Sequence, residues 1–462
     1  MRYISTRGQT EPVSGAEAIL QGLAPDGGLF VPEHIPALPE GFFERIKTMD
    51  YPQRATAVLS FFLPEFGDLN ALTREAYARF DGEPAPLAEY GKDVPLFLEL
   101  WHGPTCAFKD MALQVLPRLV GAAKELTGET RDVYILTATS GDTGKAALEG
   151  FRDIPGTRVL VFYPEEGVSE VQKLQMVTQE GGNVGVCAVR GDFDDAQTGV
   201  KRVFANTERS GRFLLTSANS INLGRLLPQI AYYVSAYADF VQKYPERAAR
   251  GNPDVYVPTG NFGNILAALY AKRLGVPLGR LVCVSNRNNV LTGVIQTGVY
   301  DRNRPLVRTT SPSMDILVSS NFERAVYLLS GCDSAFTRDC MQTLNSEGRY
   351  ALNETTVNAM REEFDAVWRD DAQAEDAIRA LYQRTGAVID PHTATAAGAA
   401  RDGIVVATAH PGKFPEAVQS ALDGAEFPIP GVLLETKKKP RRFSDSVAPG
   451  EIEGYVKTFF GM

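Results

Sequence analysis

Lys109 lies in a segment whose composition is typical of a protein interior. Residues 101–114 read WHGPTCAFKDMALQ, with one basic side chain among mostly apolar or small neighbours. A lysine in such company usually extends its ammonium group to solvent. If the group is buried instead, desolvation and a helix N-terminus both favour the neutral amine, which can form an imine. The segment alone leaves both interpretations open.

Two loops of glycine and small polar residues follow apolar runs that have the pattern of buried strands. Residues 139–144, TSGDTG, come after the run 132–138, and residues 259–264, TGNFGN, come after 254–257. Backbone N–H groups at a helix start bind anions, and glycine lets the anion approach closely. The first loop alone is better explained as a capped tight turn. For the second loop, a tight turn and a ligand-binding cradle are equally good explanations. Neither has the spacing of a nucleotide P-loop or a GxGxxG fingerprint.

A third polar segment precedes a long predicted helix over 225–244. Asn219 and Ser220 lie at its entry, and Arg225 lies in its first turn, where a positive charge opposes the helix dipole. A bound anion would relieve this opposition, although a lone arginine more often reaches solvent. The helix is predicted to be amphipathic, with Pro228 tolerated in its first turn.

Two histidines follow in the last quarter of the chain. Thr408 ends a predicted strand, and His410 comes directly after it in the turn AHPGKF. His392 begins the small-residue helix DPHTATAAGAA, whose alanines indicate close helix packing. A single histidine is more often a structural hydrogen-bonding group than a catalyst. No HExxH motif or comparable spacing of histidine and carboxylate indicates a metal site.

Taken together, the lysine and the loops point to a chemistry that none of them indicates alone. Pyridoxal phosphate is the cofactor that combines a lysine amine with a phosphate cradle. Lys109 would carry the imine, residues 259–264 would hold the phosphate, and residues 139–144 would receive a carboxylate. The three segments therefore predict one coherent site.

The elements that must position this site alternate between short apolar strands and helices. The runs 132–138, 158–164 and 183–191 predict strands, and 254–260 and 280–286 predict two more. This order indicates βαβ units with parallel sheets, an α/β fold in which ligands bind at the carboxyl ends of the strands. Helical spacing is found over 52–63, 68–80, 169–182, 194–211, 225–244, 265–275, 353–371 and 374–386, and 403–424 has the pattern of strand, turn and helix.

The overall composition argues against several classes of protein. The chain has 47 basic and 56 acidic residues, a net charge of −9, whereas general nucleic-acid binders are usually basic. Its one basic run, KKKPRR at 437–442, is better explained as solvated surface than as a polyanion site. The five scattered cysteines include no CxxC pair, which is typical of a reducing compartment. With neither a signal peptide nor an apolar run of membrane length expected, a soluble cytoplasmic protein is predicted.

Several segments of the chain resemble the threonine synthase family. They are HGPTCAFKD, TATSGDTGKAA, NSINLGR, PTGNFGN and ATAHPGKF. The opening YISTRG is similar to the longer branch of that family, which has an extended N-terminal region. The resemblance extends from Tyr3 to about Ala417, nearly the whole chain.

The resemblance implies a tryptophan-synthase-β-like architecture, that of fold type II pyridoxal phosphate enzymes. Two α/β domains with parallel-rich sheets would follow an N-terminal domain. The smaller α/β domain would be mobile and close on substrate. The expected division is 1–94 for the N-terminal domain, 95–125 with 225–440 for the large cofactor-binding domain, 126–224 for the smaller domain and 441–462 for a C-terminal tail.

The resemblance also implies roles for individual residues. Lys109 would form the imine with pyridoxal 5'-phosphate and shuttle protons, and Phe108 would pack near the cofactor. Thr408 would hydrogen-bond the pyridine nitrogen, and Asp142 would lie near the ring hydroxyl, where many relatives of the fold have asparagine. The cofactor phosphate would be held by Gly260, Asn261, Phe262, Gly263 and Asn264. The substrate carboxylate would be received by Ser140, Gly141, Asp142 and Thr143, and the substrate phosphate by Asn219, Ser220 and Arg225.

The implied reaction is a carbon–oxygen lyase reaction of threonine biosynthesis, in which O-phospho-L-homoserine and water give L-threonine and phosphate. Two alternatives are a pyridoxal-phosphate-dependent dehydratase of the same fold and an inert regulatory homologue. Arg225 argues against the first, because a substrate without phosphate needs no second anion site. The intact Lys109 and phosphate loop argue against the second. A monomer or a homodimer is expected, a choice that the resemblance does not decide, and neither a nucleic acid nor a membrane is expected as a partner.

Overall fold

Strands and helices alternate along most of the chain. The computed structural model describes residues 1–207 and 211–462. The strands are β1 (Arg2–Ser5), β2 (Val13–Ser14), β3 (Phe30–Pro32), β4 (Leu87–Glu89), β5 (Leu96–Glu99), β6 (Asp132–Ala138), β7 (Thr157–Pro164), β8 (Val184–Val189), β9 (Phe213–Thr216), β10 (Val255–Pro258), β11 (Leu281–Ser285), β12 (Val299–Asp301), β13 (Arg349–Ala351), β14 (Phe364–Trp368), β15 (Ile404–Ala407) and β16 (Ser446–Val447). The helices are α1 (Gly15–Gln21), α2 (Phe42–Ile46), α3 (Tyr51–Phe62), α4 (Asn70–Tyr77), α5 (Asp110–Leu113), α6 (Leu116–Thr127), α7 (Asp142–Gly150), α8 (Glu170–Val177), α9 (Phe193–Asn206), α10 (Leu223–Lys243), α11 (Pro245–Ala248), α12 (Gly263–Leu274), α13 (Val290–Thr297), α14 (Phe322–Leu329), α15 (Ser334–Glu347), α16 (Glu354–Glu363), α17 (Asp371–Thr385), α18 (Pro391–Ala397), α19 (Pro415–Ala421), α20 (Gly431–Thr436) and α21 (Ile452–Phe460).

A six-stranded sheet carries the segments that form the site. Its order is β14-β11-β10-β15-β5-β4, and every pair is parallel except β4 with β5. The strands β10, β15 and β5 are adjacent, so the segments that follow them begin at the same edge of the sheet. Those segments contain the TGNFGN loop, Thr408 and Lys109. The carboxyl edge of this sheet is therefore where a ligand is expected to bind.

A second sheet of five strands carries the TSGDTG loop. Its order is β16-β8-β7-β6-β9, and all of its pairs are parallel. The predicted strand over 132–138 is β6 with the same bounds, and β7 and β8 fall within a residue or two of the runs 158–164 and 183–191. These strands were predictable because both of their faces are buried, which makes their sequences continuously apolar. The expected α/β fold with parallel-rich sheets is confirmed.

The predicted helix over 353–371 is wrong in its second half. Helix α16 ends at Glu363, and the following residues form β14, which pairs in parallel with β11. Phe364 and Ala366 are buried and Asp365 is exposed, a period of two that belongs to a strand at the edge of a sheet. The segment is short and directly follows the helix, so helical spacing dominated the sequence pattern.

The predicted long helix at 225–244 is confirmed as α10, but it is not amphipathic. It begins at Leu223, and seventeen of its 21 residues are buried. Helices α3, α5 and α12 pack around it, so it has no solvent face of any width. Because the helix begins at Leu223, Pro228 lies in its second turn and not in its first. In the second turn the proline removes one backbone hydrogen bond from the interior of the helix.

The segment 441–462, expected as a tail, is folded onto the five-stranded sheet. Strand β16 extends that sheet at β8, and α21 packs against α9 and β7. Ile452, Val456 and Phe460 are buried there at four-residue spacing, which gives the helix an apolar face. The predicted helix over 194–211 is α9, and the end of that prediction, 208–210, lies outside the described residues. None of the helices that the structure describes is long and apolar enough to cross a membrane.

Candidate active site

A tight turn delivers Lys109 from β5 to the start of α5. Thr105 donates its backbone N–H to Asp110 Oδ2 at 2.7 Å and its hydroxyl to Asp110 Oδ1 at 2.8 Å. A Cβ at Gly103 would lie 2.5 Å from the same carboxylate, so the turn closes this tightly only with glycine. Cys106 has a positive φ of 58°, which is a strained backbone conformation for a residue other than glycine. The turn therefore fixes Lys109 directly before the helix.

The Lys109 side chain is inside the protein, where it meets the TSGDTG loop. Its Nζ lies 3.2 Å from Asp142 Oδ2 and 4.7 Å from the centre of the Phe108 ring. Only 11 % of the lysine side chain is exposed, so the solvent-directed interpretation of this residue is wrong. Burial lowers the pKa of Lys109, and the neighbouring carboxylate of Asp142 opposes this effect.

Asp142 is the first residue of α7, and its carboxylate contacts four side chains. Its Oδ1 lies 2.9 Å from Lys413 Nζ and accepts a hydrogen bond of 2.8 Å from Gln172 Nε2. Its Oδ2 faces Lys109 and also accepts a hydrogen bond from Ser313 Oγ at 3.4 Å. Burial alone would raise the pKa of Asp142, but the two ammonium groups hold it far below its ordinary value. The carboxylate is thus held in its ionised form.

At the start of α12, the TGNFGN loop presents backbone groups and the side-chain amide of Asn264 to the cavity. Phe262 has a φ of 63° and packs its ring edge-on against Phe322, with centroids 5.1 Å apart. Its side chain belongs to the core, so the loop offers its backbone to the pocket at this residue. Asn264 Oδ1 accepts hydrogen bonds from two tyrosine hydroxyls, while its buried Nδ2 has no partner among the described residues. This donor is free for a ligand.

Arg225 lies in the first turn of α10 with its guanidinium buried. The residue is 3 % exposed, and burial lowers the pKa of Arg225 to about 10. Its Nη1 donates to the Ala218 carbonyl at 2.6 Å, whereas its buried Nε has no hydrogen-bond partner. No carboxylate in the described parts of the chain forms an ion pair with it. A buried and uncompensated cation of this kind is costly unless it meets an anion.

The predicted site residues converge on one cavity of about 720 Å³, its open mouth included. The TSGDTG loop contributes only Asp142 and Thr143, and the predicted residues Ser140 and Gly141 are not part of the cavity wall. The N–H groups of Gly141 and Gly144 both donate to Thr139 Oγ1 at 2.9 Å and are therefore already partnered. The predicted residues that line the cavity are Phe108, Lys109, Asp142, Thr143, Asn219, Ser220, Arg225, Gly260, Asn261, Phe262, Gly263, Asn264 and Thr408.

Several further wall residues were not assigned from the sequence. Ser313 and Met314 come from a single 3-10 turn, Pro312–Met314, which has no recognisable sequence signal. His392, interpreted above as a packing residue, accepts a hydrogen bond from the Ser313 N–H at 3.1 Å and so holds this turn. Gln229 lines the cavity from α10, one turn after Arg225.

Lys413 was also missed, although the sequence contained a signal for it. It follows a buried strand and stands among apolar residues, as Lys109 does. In the structure it is fully buried next to the cavity and bound to Asp142. His410, in the same turn, accepts a hydrogen bond from the Gly412 N–H at 3.0 Å. Burial lowers the pKa of His410 to about 4, in keeping with a structural role.

Comparison with known families and proteins matches the chain over most of its length. The model of pyridoxal-phosphate-dependent enzymes matches residues 83–414, that of the threonine synthase N terminus residues 2–77 and that of the threonine synthase C-terminal region residues 387–456. Threonine synthase from Pseudomonas aeruginosa is 36 % identical over 464 residues, covering 98 % of this chain and 96 % of the relative. The chain belongs to the threonine synthase family.

Solved structures and a second group of relatives agree with this family. The structure titled pyridoxal-phosphate-bound threonine synthase from Brucella melitensis is 35 % identical, has a TM-score of 0.90 and matches over 99 % of both chains. Threonine synthase from yeast also has a TM-score of 0.90, at 29 % identity over 100 % of this chain and 99 % of its own. Human threonine synthase-like 1 is 39 % identical over 88 % of this chain. The chain spans only 58 % of the length of that relative.

Proposed function

We propose that the chain is a threonine synthase that converts O-phospho-L-homoserine and water to L-threonine and phosphate with pyridoxal 5'-phosphate. The observation that carries this proposal is the buried guanidinium of Arg225, which lacks an ion-pair partner in the described parts of the chain and lines the same cavity as Lys109. The glycine loop at α12 supplies one anion position and Arg225 a second. Two phosphate groups, one on the cofactor and one on the substrate, account for both.

The residues of the cavity fit pyridoxal phosphate. The unpartnered Asn264 Nδ2 and the helix start beside Gly263 suit a phosphate group. A Cβ at Gly260 would lie 2.8 Å from the Ser313 carbonyl, so this part of the loop has no room for a side chain. Lys109 would hold the cofactor aldehyde, and Phe108 and Thr408 would contact its ring. When bound, the cofactor supplies an electron-withdrawing ring that stabilises negative charge developing on the substrate.

The protein's own groups then account for binding and proton transfer. Lys109 Nζ, with its lowered pKa, is the base that removes the α-proton and helps relay a β-proton. Asn219, Ser220 and Arg225 would orient the substrate phosphate, whose departure breaks the Cγ–O bond. Thr143, on the first turn of α7, would orient the substrate carboxylate. Water forms the new bond at Cβ.

We also propose that residues 126–224 form a mobile unit that closes on substrate. These residues contain β6 to β9, and they bring Asp142 and Thr143 to the cavity from the second sheet. Closure would exclude water until phosphate departs. The other proposed divisions are 1–94 as the N-terminal domain and 95–125 with 225–440 as the cofactor-binding domain, whereas 441–462 packs on the sheet of the mobile unit. A cytoplasmic location and a monomeric or homodimeric state complete the proposal.

The decisive experiment measures colour and phosphate release together. The purified chain loaded with pyridoxal phosphate should be yellow and should release phosphate and threonine in equal amounts from O-phospho-L-homoserine. A yellow protein inert towards this substrate but active on serine or threonine would indicate a dehydratase. A protein that stays colourless with added cofactor would indicate an inert homologue.

The Lys109→Ala variant tests the assignment of the base. It should fold and lose turnover, because among the described residues Lys109 is the one lysine that lines the cavity. Lys272→Gln, in the last turn of α12 at the end away from the cavity and paired with Glu363, is the matched control and should keep full activity. Normal turnover in Lys109→Ala would refute the assignment.

A further inference from the structure

Lys413 is a buried ammonium group for which the proposed reaction has no use. It ends the 3-10 turn Pro411–Lys413 after β15, and none of its surface is exposed. Its Nζ lies 2.9 Å from Asp142 Oδ1 and donates to the Thr105 carbonyl at 2.8 Å. A lysine placed only for packing would extend its charge towards solvent. Here both contacts of the ammonium point towards the active site.

The two lysines bind opposite oxygens of one carboxylate. Lys413 faces Asp142 Oδ1 at 2.9 Å, and Lys109 faces Oδ2 at 3.2 Å. Two buried ammonium groups and a single carboxylate leave an excess of positive charge, which disfavours the protonated form of one lysine. Lys413 has the shorter ion pair and a carbonyl acceptor, whereas Lys109 has one longer contact. The proton is therefore more easily lost from Lys109.

We propose that Lys413 is a positioning residue that acts as the fixed positive partner of Asp142 and thereby leaves the amine of Lys109 free to react. Without Lys413, the Asp142 carboxylate would be compensated mainly by Lys109 and would hold its proton. The proposal rests on the role assigned to Lys109 under the proposed function.

The turn before α5 connects Lys413 to the rest of the site. Thr105, whose carbonyl accepts from Lys413, is itself held by the buried carboxylate of Asp110. Lys413 thus contacts the turn that carries Lys109 and the loop that carries Asp142, and it lies between the two sheets that supply them. The charged and titratable side chains around Lys109 and Asp142 include Asp110, Arg225, His392 and Lys413. Of these, the cations Lys413 and Arg225 favour the neutral amine of Lys109.

The test measures the reactivity of Lys109 rather than turnover. The full-length chain is freed of cofactor, checked for folding by circular dichroism, and reductively methylated with formaldehyde and cyanoborohydride between about pH 6 and 10. Peptide mass spectrometry gives the rate at Lys109 for each pH. Lys145, buried in a different cavity, is the internal reference, because its environment does not include Lys413.

Lys413→Gln should shift the pH profile of Lys109 methylation to higher pH and slow the methylation at pH 8 by about tenfold, because a like charge near the amine is lost. Asp142→Asn should shift the profile to lower pH, because Lys413 then repels the proton of Lys109 without a compensating carboxylate. The double variant should lie between the two. Lys272→Gln, which removes a lysine–glutamate pair elsewhere, should leave the profile unchanged.

An unchanged or lowered Lys109 profile in Lys413→Gln would overturn the proposal and leave Lys413 a purely structural residue. If Lys413→Gln does not fold, Lys413→Met keeps the length of the side chain and carries the same prediction. If neither folds, the double variant, in which both buried charges are removed together, is compared with Asp142→Asn, and an identical Lys109 profile in these two refutes the proposal. A chain that fails to release phosphate from O-phospho-L-homoserine refutes the proposed function without affecting this measurement.

Discussion

Replacing Arg225 by methionine is expected to remove phosphate binding without destabilising the chain. Burial lowers the pKa of Arg225 from 12.5 to about 10. At about 1.4 kcal/mol per unit, this corresponds to about 3 kcal/mol of unfavourable free energy in the folded protein. The hydrogen bond to the Ala218 carbonyl offsets about 1.5 to 3 kcal/mol of that cost. Arg225→Met should therefore leave the free energy of unfolding unchanged or raise it by up to about 2 kcal/mol.

A second buried arginine provides the matched control. Burial lowers the pKa of Arg324 to about 10 as well, but its N–H groups are used within the protein. They donate to the carbonyls of Phe30 at 3.0 Å and Ile221 at 2.7 Å, among others. Arg324→Met would leave these carbonyls buried and unpartnered, at about 1 to 3 kcal/mol each. This variant should lose about 3 kcal/mol or more of stability, which separates a structural arginine from a ligand-binding one.

The assay is urea denaturation of the cofactor-loaded chain with and without inorganic phosphate. Phosphate at a hundred times its dissociation constant should raise the free energy of unfolding of the wild type by about 2.7 kcal/mol. It should have no such effect on Arg225→Met. If Arg225→Met loses as much stability as Arg324→Met, the guanidinium is structural and the reasoning is refuted. Equal stabilisation of the wild type and Arg225→Met by phosphate would refute it as well.

Three further predictions concern the surroundings of the site. Gly260→Ala places a Cβ 2.8 Å from the Ser313 carbonyl and should weaken cofactor binding at least about tenfold in absorbance titrations, whereas Gly121→Ala, with open space around it, should not. Burial raises the pKa of Asp110 to about 6, so the free energy of unfolding of the wild type falls by about 3 kcal/mol as the pH rises from about 4 to 6. Asp110→Asn should remove this loss when unfolding is measured by urea titration. The same pH dependence in the variant and the wild type would contradict the prediction. Burial lowers the pKa of His410 to about 4, so stability is lost as the pH falls from about 6.5 to 4. His410→Asn should abolish up to about 3 kcal/mol of this acid destabilisation. If the variant is destabilised by acid as much as the wild type, other groups cause the effect.

The interior strands were predictable because burial on both faces leaves a continuous apolar run in the sequence. Strand β6 was predicted with its observed bounds for this reason. Strand β14 was missed, since an edge strand of five residues directly after a helix carries too short an alternation to outweigh helical spacing. The burial of α10 on every side was missed as well, because its polar residues suggested a solvent face that packing removes.

The sequence also predicted most of the cavity wall, through residue types that suit lysine and phosphate chemistry. Phe108, Thr408 and the TGNFGN loop line one cavity with Lys109, and the contacts with a cofactor that the family resemblance implies for them stay predictions. Ser140 and Gly141 do not line the cavity, because the loop folds its own N–H groups onto Thr139. The turn at Ser313 carries no sequence signal, since its place in the wall depends on a long-range hydrogen bond to His392.

The sequence by itself determined which elements form and which segments carry reactive groups, because periodicity, turn residues and capping act over a few neighbouring positions. Only the tertiary structure decided the direction in which the pKa values of Lys109 and Asp142 are shifted. Lys109 and Lys413 lie 33 and 271 positions from Asp142 in the chain, yet their ammonium groups lie 3.2 and 2.9 Å from its carboxylate oxygens. Desolvation and Coulomb interactions depend on the arrangement of atoms in space, so the pKa of Lys109 is lowered only once the fold has buried it among those groups.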